Sequence, residues 1–126
     1  MSWTGLGETL DVVLAASPAG ASLGEYVRAV RDDPETDRDL LDRCAARMAF
    51  LLGVPTESVA MTATTPREEA AIAFAEQWVM DASGVTEDDT ERLRKWLTDA
   101  ECTAFTQGLS VTEALLRVRL VLGVDA

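Results

Sequence analysis

Glu76 and Gln77 stand side by side in AAIAFAEQWVM, residues 70–80, a stretch that is otherwise apolar. A carboxylate on so oily a helix is costly to desolvate unless it is paired or hydrogen-bonded. Two outcomes follow. Glu76 can meet an arginine or escape along a narrow polar strip, as scaffolding. It can instead line an apolar pocket, where burial raises its pKa and suits it to general acid or base work. A second polar pair lies in SVTEALLRVRLVLG, residues 110–123, where Glu113 and Arg117 are four positions apart on one helix face. An arginine on a mostly apolar helix commonly clamps a carboxylate, here Glu76; the alternative is an ordinary surface pair. Arg119 falls on a different face, and Val111, Leu115, Val118 and Leu122 form an apolar seam beside the Glu113–Arg117 pair. Desolvated charges must find each other or a ligand, so Glu76, Gln77, Glu113 and Arg117 are expected to converge on one buried polar patch.

The chain has no histidine. That removes the usual general base near neutral pH, the commonest transition-metal ligand and every Ser-His or Cys-His nucleophile pair. Acid–base chemistry must then come from carboxylates, the single tyrosine Tyr26, the single lysine Lys95, or the substrate. No metal or other cofactor is expected. Cys44 and Cys102 have neither CxxC nor metal-ligand spacing and read as buried free thiols.

The elements that position these groups read as helices throughout. The first is expected over residues 5–16, with Ser17-Pro18-Ala19-Gly20 as its stop. The second spans 22–33, with Ser22 and Glu25 as a capping box. The third runs from about residue 36 to Gly53, its apolar set Leu40, Leu41, Cys44, Met48, Leu51 and Leu52 recurring at helical steps. PTESVAM, residues 55–61, is at most a short turn. Thr65, Pro66 and Glu68 start the fourth helix, which runs to about residue 80 or 82. Its apolar residues go most of the way round, which makes it the central helix. Trp78 on it reads as a core aromatic. The fifth helix begins at Thr86, acidic in its first turn and basic in its last. Thr98 and Glu101 open the sixth, which runs to Gly123 with Gly108 as a candidate kink. The fold class is all-α, about six helices in a single domain over residues 1–126.

The length of 126 residues suits one core. The formal net charge of -11 repels phosphate backbones and anionic lipid, so neither nucleic acid nor a membrane surface is expected as a partner. It attracts a basic peptide or amine. No apolar run reaches bilayer-spanning length, and the start lacks a basic signal region, so a cytoplasmic address is expected. Apolar faces on the third and sixth helices exceed what one small core hides, which points to a homo-oligomer, a dimer first.

The segments PREEAAIAFAE, VTEDDTERLR, LTDAE and the late arginine before LGV resemble the second half of carboxymuconolactone decarboxylase and alkylhydroperoxidase D-like proteins. The resemblance covers about residues 22–124 and is more specific in its second half. It implies an all-α domain whose subunits pack helices into shared bundles, as dimers, trimers or hexamers. The redox motif of that family, CxxC followed by His, would fall near Arg38, Leu41 and Cys44 or Ala45, so the dithiol and its relay are missing. By the same alignment Glu25 lies where the relay glutamate would be, Arg117 matches the late arginine, and Glu113 replaces a frequent Asn.

The function this implies is a non-redox, metal-free tailoring enzyme of natural-product biosynthesis. Glu76 or Glu25 would be the base, and Arg117 or Arg28 would hold an anionic or carbonyl group. Gln77, Arg28, Glu113 and Trp78 would line the substrate, a small molecule or a basic peptide. Amine addition to dehydroalanine, as in lysinoalanine cross-linking, is one such reaction. The alternative is a non-catalytic ligand-binding or oligomeric assembly module. A peroxidase using Cys44 alone is the third reading.

Overall fold

The computed structural model describes residue 12, residues 14–54 and residues 62–122. Among the described residues there is no strand. The α-helices there are α1 (Pro18–Asp32), α2 (Arg38–Leu52), α3 (Pro66–Met80), α4 (Glu87–Arg94) and α5 (Asp99–Leu122), with a 3-10 turn, Ala82–Gly84, between α3 and α4. The all-α expectation therefore stands. Most of the helix expected over 5–16, the PTESVAM turn and the Gly123 stop lie outside the described residues. No helix described is long and apolar enough to cross a membrane.

The start of α1 corrects the reading of Ser17-Pro18-Ala19-Gly20 as a stop. Ser17 is an N-cap whose hydroxyl accepts the Gly20 N–H at 3.1 Å, and Pro18 occupies the first helical turn. Proline loses nothing there, because that N–H has no partner within a helix anyway. Ser22 and Glu25 lie inside the helix rather than at its cap. Gly20 is required by close approach: a Cβ on it would sit 2.1 Å from the Leu14 carbonyl oxygen.

The remaining boundaries follow their caps. Asp37 accepts the Leu40 N–H at 3.1 Å to start α2, and Gly53 ends it at φ 73, a left-handed conformation that glycine adopts without strain. Thr65 accepts the Glu68 N–H at 3.1 Å ahead of α3. Thr86 with Asp89, and Thr98 with Glu101, form reciprocal capping boxes on α4 and α5.

The ion pairs Arg67–Asp37, Arg43–Glu68 and Arg47–Glu76 climb α2 and α3 together, so these two helices run parallel. Their inner faces join α4 and α5 in the main core, which includes Leu41, Cys44, Met48, Phe74, Phe105, Leu109 and Leu116. The Phe74 ring lies 6.2 Å from both Trp78 and Phe105. Gly108 does not interrupt α5. It lets the helix settle on α2, since a Cβ there would be 2.9 Å from both terminal methyls of Leu41. A second apolar cluster, Leu14, Val27, Val30, Val111 and Leu115, fastens α1 to α5. Helix α5 thus serves both clusters, with Leu115 in one and Leu116 in the other.

Candidate functional site

The expected convergence of Glu76, Gln77, Glu113 and Arg117 does not occur. Among the described residues no hydrogen bond or ion pair joins the first two to the last two. Glu76 takes its partner from α2: the Arg47 Nε–H donates to Glu76 Oε1 at 2.8 Å. Gln77 serves the backbone, its Nε2 donating to the Asp81 carbonyl at 2.8 Å. That bond ties down the exit of α3 as it passes into the 3-10 turn. Glu113 and Arg117 keep to each other along α5 at 3.5 Å, with the arginine side chain half exposed. Glu25 and Arg28 stand on the exposed side of α1. Trp78 is partly buried against the main core and stacked on Phe74, as a core aromatic should be.

Of the expected seam, Val111 and Leu115 are buried and Val118 packs against their cluster, while Leu122 is exposed at the end of α5. Its buried stripe is Gly108, Leu109, Val111, Thr112, Leu115, Leu116 and Arg119. Arg119, four residues after Leu115 and three after Leu116, is therefore the arginine that the fold buries, at 3% exposure, and it is engaged there. That i, i+3, i+4 spacing was the available signal; the i, i+4 carboxylate drew attention to Arg117 instead.

The side chains of Arg47 and Glu76 are 31% and 40% exposed. Water screens a pair that open, so Glu76→Gln should lower stability by no more than about 1 kcal/mol. A thermal melt showing a loss several times larger would mean that the carboxylate is far more deeply held.

Another polar cluster forms where α2, α3 and α5 begin. Arg67 near the start of α3 reaches Asp37 at 2.6 Å, and its other terminal nitrogen reaches Glu101 at 3.4 Å. The three rim an open cleft of about 230 Å3, solvent included, floored by Leu40, Leu41, Leu97 and Phe105. Partial burial pulls the Asp37 carboxyl upward, but the Leu40 N–H and the Arg67 guanidinium outweigh it and hold it below its ordinary value. The Thr98 N–H, then the Thr98 hydroxyl and Arg67, overcome desolvation to do the same for Glu101. Glu68 is lowered by the Thr64 hydroxyl and by Arg43. Carboxyls held down in this way are stabilised as anions, which suits caps and clamps and opposes the raised pKa of a general acid.

Cys44 is fully buried, and burial together with the Asp37 charge pushes its thiol up to about 12. A thiolate is the nucleophilic form, so Cys44 is poorly suited to peroxide attack. Cys102 is raised as well, chiefly by burial. Comparison with family models, curated proteins and solved structures found no match to this chain.

Proposed function

We propose that the protein is a non-catalytic helical assembly module that works as a homo-oligomer. The observation that carries this reading is the contrast between its polar and apolar surfaces. Charged side chains on α1, α2, α3 and α5 are committed to joining helices: Arg31 to Asp42, Arg43 to Glu68, Arg47 to Glu76, and Arg67 to both Asp37 and Glu101. Large apolar side chains are meanwhile left outside, among them Phe50, Met80, Leu120, Val121 and Leu122. Single exposed apolar residues are ordinary, but groups of them on rigid helices mark association surfaces. The resemblance to alkylhydroperoxidase D-like domains, which build oligomers by helix packing, agrees with this reading. Acid–base tailoring at Glu76 has less support, because that carboxylate is already engaged by Arg47.

Sedimentation equilibrium across the micromolar range tests the proposal. A mass above that of one 13.6 kDa chain, rising with concentration, is the expected result. A single monomeric species throughout would reject assembly.

A further inference from the structure

We infer that a second copy of this chain docks on the C-terminal end of the α2–α3 pair, around Phe50 and Met80. This inference rests on the assembly reading and names the surface responsible. Phe50 is 59% exposed and Met80 67%. They are one turn beyond the Arg47–Glu76 ion pair, three residues after Arg47 and four after Glu76. The Arg47 guanidinium lies 5.3 Å from the centre of the Phe50 ring while its Nε holds Glu76. Arg47 thus links Phe50 on α2 to Glu76 on α3, and Met80 lies one turn further along α3 in the same direction. Ala73, exposed one turn before Glu76, adds a small residue that lets another helix approach.

Charge selects the occupant. Two copies of a chain carrying -11 repel each other over most orientations. Across this patch Arg47 and Glu76 cancel, so it offers like-charged copies a neutral place to meet. A two-fold interface must also complement itself. A surface holding two apolar anchors with one charge of each sign does so: each copy's arginine can face the other's glutamate while phenylalanine and methionine close the centre. Met contributes a pliant side chain and Phe a rigid one, a pairing suited to a compact anchor.

The test is sedimentation equilibrium on the full chain and on the Phe50→Glu, Met80→Glu double variant. Both positions are exposed, so the variant should fold, which circular dichroism melting checks. Tyr26→Glu, at another exposed ring on α1, is the control for added negative charge. A dimeric wild type, an association constant reduced about tenfold or more in the double variant, and an unchanged control are expected. A monomeric wild type rejects assembly and this inference together. A wild-type oligomer that the double variant leaves intact, or that Tyr26→Glu weakens equally, overturns this surface alone and leaves the assembly reading standing.

Discussion

Replacing Leu116 with Ala should destabilise the whole protein by about 3 to 4 kcal/mol, the usual cost of emptying a fully buried leucine site that cannot collapse. Leu116 has 0% exposure and lies in the main core with residues of α2, α3 and α4. Its neighbour Leu115 is nearly as buried but closes on Leu14, Val27, Val30 and Val111. Leu115→Ala should therefore act locally, loosening α1 from α5 while the main core survives. Amide hydrogen exchange separates the two. In Leu116→Ala, protection should fall across all five helices together, because the global transition is what becomes easier. In Leu115→Ala, the gain in exchange should concentrate in Pro18–Asp32. Uniform loss of protection in Leu115→Ala would show that the two clusters behave as one cooperative core.

This division was only partly legible beforehand. Caps and stops act over three or four residues, so Asp37 before α2, Gly53 after it, Thr65-Pro66, Thr86 and Thr98 could be located from local chemistry. Ser17-Pro18 misled because proline after serine ends one helix and begins another equally well, and the choice depends on Leu14 folding over Gly20. The parallel course of α2 and α3 could not be seen at all. It depends on pairs such as Arg47–Glu76, whose members are 29 positions apart in sequence.

The candidate site shows the same limit. The sequence marks Glu76 as a carboxylate that must be paired or line a pocket, and the arginine it meets is Arg47 of α2 rather than Arg117 of α5. Nothing local in the sequence ties Arg47 to a residue 29 positions further on. The sequence also places Gln77 in the expected polar patch. Its actual partner is the Asp81 carbonyl four residues on, a local bond of the kind that commonly secures a helix end. Arg119 belongs to the buried stripe of α5, which the i, i+4 spacing of Glu113 and Arg117 does not mark.

Arg67→Met should lower stability near neutral pH by about 1 to 2 kcal/mol, as expected for losing one arginine that serves two partly exposed carboxylates. Methionine keeps most of the aliphatic stem over the cleft, so the change is chiefly one of charge. Its pH dependence is the distinguishing feature. Asp37 and Glu101 are held below their ordinary values of 3.8 and 4.5 in the folded protein. A carboxyl with a depressed folded pKa adds stability above its unfolded value, and that stability is lost as pH falls through the folded value. Arg67 contributes part of both depressions, while the Leu40 and Thr98 N–H groups remain in the variant. The melting temperatures of wild type and Arg67→Met should therefore differ most near neutral pH and converge below about pH 4, where the carboxylates protonate in both. A gap that stays constant down to acid pH would mean that Arg67 acts through the packing of its stem, and that the charges joining the starts of α2, α3 and α5 contribute little.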